Sequence, residues 1–212
     1  MTIQLQRELE SKTAFRTWCA VNNWNIVREF EGHENKVEQH SHDFICVLNG
    51  DKEVSVSLKT AGGLFTKANL GTGVRAASKW LDDDVSLNLL RDCAKEVKRR
   101  RESLPFQRWS DSPQIETDKL FVIEPWLDAY MTIWSVKDHR HSFFTYLLSL
   151  QSDYIWSENR LLTCDSIASG GCQRYLSKSI LLGSIEARFK SEGGKVLSSI
   201  KINIQSTKSG KN

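Results

Sequence analysis

The stretch DFICVLNGDKEVSVSLKT, residues 43–60, decides the fold. It reads as two strands, residues 43–48 and 53–60, rich in β-branched residues and joined at Asn49-Gly50, a dipeptide that favours tight hairpin turns. Alternation places Val54, Val56 and Leu58 on one face of the second strand and Ser55, Ser57 and Lys59 on the other. Turn length then decides what Asp43 meets. A three-residue loop with Gly50 in a left-handed conformation puts Asp43 on the face of Ser57 and Lys59, whereas a two-residue Asn-Gly turn sends it to the side of Leu58. In the first case a carboxylate able to hold a divalent cation and an ammonium able to steady a negative charge share one end of the sheet.

Upstream, residues 5–21 have helical spacing, with Leu5, Leu9, Phe15, Trp18 and Cys19 forming an apolar stripe and Glu8 in its middle. A carboxylate on an apolar face is costly unless it is paired or bound to a cation; the alternative is a frayed first turn with Glu8 in water. Residues 24–30 read as a first strand, followed by the polar stretch 31–42. Downstream of the hairpin lies a glycine-rich segment, 61–73. Helix is expected over roughly 74–81 and 85–102, a linking loop over 103–118, and a short buried strand at Lys119–Ile123. Residues 127–152 mix helix and strand signals. Residues 181–190 and 195–204 suggest a terminal hairpin with Ile185, Ala187, Phe189, Val196, Ile200, Ile202 and Ile204 on its apolar face, before a polar tail at 205–212.

The chain has 212 residues, 40% of them hydrophobic, which suffices for one domain with a real core. Its net charge of +3 is mild, but its distribution is uneven. From Arg174 to Asn212 there are eight Lys or Arg against Glu186 and Glu192, and Lys95 to Arg101 holds five basic residues against Glu96. The five cysteines are scattered with no CxxC pair, which argues against a zinc ribbon or a disulfide framework. With no secretory signal at the N-terminus, reduced thiols and a cytoplasmic location are expected. No apolar run approaches the ~20 residues of a membrane span.

The order helix, strand, strand, strand, helix, strand resembles the common core of the PD-(D/E)xK nucleases, over about residues 5–125. In that superfamily an Asp starts the second strand, an acid-x-Lys element ends the third, and a Glu of the first helix often completes the metal site. Asp43, Ser57-Leu58-Lys59 and Glu8 stand in those positions, and the wording VSVSLKT is similar to the SLK version found in some type II restriction endonucleases. The resemblance implies an α/β (α+β) fold with a mixed sheet flanked by helices and a C-terminal β-hairpin, in a single domain 1–212. It implies Mg²⁺-dependent hydrolysis of phosphodiester bonds in double-stranded DNA by a homodimer. Catalytic residues would be Asp43, Lys59, Ser57 and Glu8, with the metal on Asp43 and Glu8. Residues 126–204 would serve DNA contact and dimerisation, and the segment RFKSEGGK at 188–195 looks like DNA-contacting parts of such enzymes. Ser57 departs from the pattern, because a neutral hydroxyl is a poorer cation ligand than a carboxylate.

For nucleic-acid contact the candidates are Arg99, Arg100 and Arg101 on the second helix and Arg188, Lys190, Lys195 and Lys201 on the terminal hairpin, since a two-stranded ribbon fits the major groove. Two other readings compete. One is a DNA- or RNA-binding protein on a nuclease-like core that does not cut. The other is a His-ligated metalloenzyme using His40, His42 and Asp43, with His139 and His141 as a second half. Asp82-Asp83-Asp84 is expected to cap a helix N-terminus rather than hold a metal, since consecutive side chains on a helix diverge.

Overall fold

The computed structural model describes residues 3–30, 43–48, 50, 52–59, 70–150 and 152–206. The chain is α+β, and its contacts gather into two compact units: residues 1–63, 147–164 and 206–212 in the first, 64–146 and 165–205 in the second. The expected core 5–125 is therefore shared between them.

The first unit begins with helix α1 (Ile3–Val21) and the strands β1 (Trp24–Glu29), β2 (Phe44–Leu48) and β3 (Lys52–Lys59), which form an antiparallel meander. Two later strands, β5 (Tyr154–Ser157) and β6 (Arg160–Leu162), complete a mixed sheet in the order β1-β2-β3-β5-β6, with β5 parallel to β3. The β5–β6 turn has Glu158 and Asn159 both at positive φ, as a tight two-residue hairpin turn of this hand requires. Helix α1 covers one face of the sheet. Its Phe15 and Cys19 are buried with Phe44, Cys46, Val54, Val56 and Trp156, and the Phe15 ring lies 4.9 Å from Phe44 and 5.2 Å from Trp156. The expected apolar stripe is only half used. Leu5 and Leu9 are about half exposed, because the sheet residues packed on α1 meet Ala14, Phe15, Trp18 and Cys19.

The second unit pairs a helical layer with an antiparallel sheet. In chain order it comprises β4 (Leu70–Gly71), α2 (Val74–Ala77), α3 (Asp84–Glu102), α4 (Ile115–Ser135) and most of α5 (Lys137–Ser149). Nearly all of α6 (Cys164–Ser169) follows, then β7 (Cys172–Leu176), β8 (Ser179–Leu182), β9 (Ile185–Ser191) and β10 (Ile200–Ser206). The sheet order is β4-β10-β9-β8-β7. As expected, Asp83 caps α3, accepting from the backbone N–H groups of Val85 and Ser86. The Ser86 hydroxyl, ahead of those backbone bonds, holds its carboxyl below the usual carboxylate range. The terminal strands bury Ile185, Ala187, Phe189, Ile200, Ile202 and Ile204 as the alternation demands. The first arm is shorter than expected, because Gly183 at φ +56 ends β8 and β9 starts only at Ile185.

One expected strand is a helix. Lys119–Ile123 lies inside α4, whose buried residues Ile123, Trp126, Leu127, Tyr130, Ile133 and Trp134 follow helical spacing. Pro125, which normally breaks a helix interior, sits in the middle of it. A proline there leaves the carbonyl four residues back without its N–H partner. That carbonyl is Phe121 O, and Arg100 Nη1 of α3 donates to it at 2.7 Å. The strand that follows the helices and pairs with β3 is instead β5, at Tyr154–Ser157.

Candidate functional site at one end of the mixed sheet

The β2–β3 register settles the question posed by residues 43–60. Phe44 pairs with Val56 and Leu48 with Lys52, so three residues link the strands, and Gly50 among them has φ +99. This is the odd-length turn. One step beyond Phe44, Asp43 comes level with Ser57: its N–H donates to Val56 O at 2.8 Å, and its carbonyl accepts from Phe30 N–H at 2.9 Å. The Asp43 carboxylate Oδ2 accepts a hydrogen bond from Leu58 N–H at 2.6 Å and a longer one from the Ser57 hydroxyl at 3.4 Å. The short backbone bond orients the carboxylate, as charge-assisted bonds do.

Ser57 is buried and Lys59 half-buried. Across the parallel pairing Lys59 lies beside Ser157, whose buried hydroxyl has no hydrogen-bond partner among the described residues. Asp43, Ser57, Lys59 and Ser157 thus share one face at one end of the sheet, the face opposite Phe44 and Val56. Asp153 is on the same face one level back, but its carboxylate is bound to Ser55 N–H at 2.8 Å and to the Ser55 hydroxyl at 2.9 Å, which starts β5 and serves structure.

Glu8 is half-buried on α1, about two turns before Phe15 and on the helix that covers the other face. Among the described residues no group of three His, Cys, Asp or Glu is gathered closely enough to hold a metal ion. Among the described residues Asp43 is the carboxylate on this face level with Ser57. A Mg²⁺ ion is commonly bound through one or two carboxylates, with waters and substrate phosphates filling its shell, so a single oriented carboxylate fits that ion rather than one needing a full protein cage. His40 and His42 lie outside the described residues. His139 Nδ1–H donates to Ile133 O at 3.0 Å and the ring lies 3.7 Å from Asp83, while His141 lies 3.4 Å from Asp165.

Two residues near this end escaped the sequence reading. Ser157 lies between the segment of mixed signals, 127–152, and the terminal hairpin, where no strand is expected. Lys12 is buried on α1, 3.4 Å from both Glu29 and Phe30 O, next to the residue that donates to Asp43 O. Its only signal was its place three residues before Phe15, on the flank of an apolar stripe.

The basic candidates divide. Arg99 and Arg100 both bind Glu96, whose carboxyl they hold down at about 2. Arg100 also reaches Glu124 at 3.0 Å and packs over the Phe121 ring. Arg101 is half-buried, donates to Ser198 O at 2.7 Å, and has its pKa lowered by burial. The charge run of α3 is therefore largely answered within the second unit. On the terminal strands Arg188 is exposed with Glu186 at 3.5 Å, and Lys190 and Lys201 both bind Glu192; Lys195, expected to open the last strand, is exposed in the connection before β10, which starts only at Ile200. Among the described residues no helix is long and apolar enough to cross a membrane. No protein-family model matches this chain, and no curated protein matches it.

Proposed function

We propose that this protein is a metal-dependent endonuclease that hydrolyses phosphodiester bonds in double-stranded DNA, sequence-specific in the manner of type II restriction enzymes and working as a cytoplasmic homodimer. The observation that supports this most is the even register of β2 and β3, which gives Asp43, Ser57 and Lys59 one face at one end of the sheet. The parallel placement of β5 beside β3 supports it too, since it retains the order of three antiparallel strands, helix and strand.

A Mg²⁺ ion held at Asp43 would supply Lewis-acid polarisation of the phosphate and a more acidic bound water. The Leu58 N–H holds one carboxylate oxygen of Asp43 in place, so that Asp43 would meet the ion in a fixed orientation. The Lys59 ammonium stabilises negative charge on the phosphate, in surroundings where burial strengthens such interactions. Ser57 donates a longer hydrogen bond to the same carboxylate and helps to aim it.

Ser57 favours a second reading, a DNA- or RNA-binding protein that no longer cuts: it stands where an acid would ligate metal, and its hydroxyl is spent on Asp43. Incubation with plasmid DNA and Mg²⁺ separates the two. Discrete fragments that disappear with EDTA are expected, and Asp43→Ala should lower the rate by at least ~10²-fold, the scale of losing one preorganised charged group. Undiminished cleavage by Lys59→Ala would overturn the site assignment, and intact plasmid with wild-type protein would favour the binding reading.

A further inference from the structure

The second unit contains a recess of about 460 Å³ that none of the chemistry above uses. Its walls are the first two turns of α4, the β7–β8 turn and the far end of β9. Leu176 pairs with Ser179, so Ser177 and Lys178 form the tip of that turn, and Phe189 N–H fastens it to β9 by donating to Lys178 O at 2.8 Å. Phe189 itself is fully buried against Tyr130, ring centroids 5.4 Å apart, which makes this wall rigid.

Four cationic residues line the recess, Lys119, Lys178, Arg188 and Lys190, against one carboxylate, Glu116. None of the four is deeply neutralised. Lys178 pairs with Glu116, an exposed acid; Arg188 and Lys190 touch Glu186 and Glu192 at 3.5 and 3.1 Å, neither of which lines the recess; and Lys119 lies 5.9 Å over the Trp109 ring. Two further lining groups are hydroxyls without a hydrogen-bond partner among the described residues: Ser191, and Ser179, which is 1% exposed. A buried unpaired hydroxyl is costly and calls for an acceptor. Several cations and spare O–H donors around a nucleotide-sized recess match the several acceptor oxygens and negative charge of a phosphate.

We infer that this recess is a phosphate-binding site, and that it takes a backbone phosphate of a nucleic-acid strand. Only the naming of nucleic acid as the source rests on the nuclease reading; free phosphate or a nucleotide carries the same chemistry. Glu116 is the internal competitor, holding Lys178 until a phosphate displaces it.

Binding is measured in EDTA, where cleavage plays no part: a labelled short duplex by fluorescence anisotropy from ~50 to ~200 mM salt, and inorganic phosphate and deoxyadenosine monophosphate by calorimetry. The double variant K178Q/K190Q should lose roughly tenfold in duplex affinity, with a log–log salt slope shallower by about two. Glu116→Gln should tighten binding, and Lys95→Gln, on the outer face of α3, should leave it where it is. Loss of mononucleotide binding with duplex binding intact would assign the site to a free phosphate ligand. Duplex, phosphate and nucleotide binding all unchanged in K178Q/K190Q would overturn the site. A protein that cuts plasmid while K178Q/K190Q binds normally loses this site and keeps the nuclease; one that never cuts, yet loses phosphate binding in the variant, does the reverse.

Discussion

In the mixed sheet, β3 and β5 bury residues on both faces, and the polar ones among them, Ser57, Ser157 and the half-buried Lys59, gather at one end beside Asp43. In the antiparallel sheet, β9 and β10 bury one apolar face, with Phe189 against Tyr130 and Trp134 of α4, and turn Arg188, Lys190 and Lys201 the other way. The contrast follows from topology, since a strand with a parallel neighbour is normally covered on both sides while an antiparallel sheet can leave one side wet. It has a chemical consequence. Polar groups in the first sheet are few, and Asp43 among them is held by specific bonds from Leu58 N–H and Ser57. Those in the second are many and held by ion pairs whose cationic ends are partly exposed, with Glu186 and Glu192 more deeply set.

The first sheet should therefore be the less tolerant of a single change. Phe15→Ala removes the ring that touches both Phe44 and Trp156 and should cost about 3–5 kcal/mol in urea-induced unfolding of the whole protein. A cost under ~1 kcal/mol would mean that α1 does not hold this sheet together.

The basic run on α3 provides the next test, because its members differ in what they touch. Arg100→Gln leaves Phe121 O and Glu124 without their donor and should cost about 1–3 kcal/mol, measured the same way. In a Pro125→Ala background the helix supplies its own N–H to Phe121 O, so the cost of Arg100→Gln should shrink. Equal costs in both backgrounds would show that Arg100 does not repair the proline.

Gly50→Ala should be milder, about 1–2 kcal/mol, since nothing lies within 4 Å of the added methyl and only the positive φ is penalised. DNA cleavage at saturating Mg²⁺ should survive it if register is carried by the strands as well as the turn. The smallest effect concerns Glu96, which is half-buried on the surface of α3 and whose carboxyl sits at about 2 rather than its ordinary 4.5 because Arg99 and Arg100 bind it. A carboxyl lowered in the folded state adds stability above its unfolded value and loses it as pH falls from 4.5 toward 2. Glu96→Gln should flatten the acid limb of a stability–pH curve in that window by lowering the neutral plateau slightly, while the curve below pH 2 stays where it is.

Much of this architecture was legible in the residues. The β2–β3 hairpin could be read from β-branched alternation about Asn49-Gly50, the α3 cap from Asp83, and the apolar face of the terminal strands from Ile185 to Ile204. The misreadings have physical causes. Lys119–Ile123 has the composition of a buried strand, and Pro125 two residues later looks like its end; the chain instead runs as helix through the proline, with Arg100, 25 positions upstream of it, donating to the carbonyl that the proline orphans. Leu5 and Leu9 obey helical periodicity, yet periodicity says nothing about how far the underlying sheet extends.

At the candidate site the division is sharper. Sequence alone determined which groups were available, namely Asp43 at a strand start, Lys59 at a strand end, and a serine where an acid was expected. It also determined that their meeting depended on the parity of one turn, because side chains alternate with a period of two. Only the tertiary structure decided that parity, through the pairing of Phe44 with Val56 across a three-residue link. It also brought Ser157 beside Lys59 from nearly 100 positions away. Local preference selects strands and turns, but register and long-range pairing are set by which apolar faces can be buried together, a property of the whole chain.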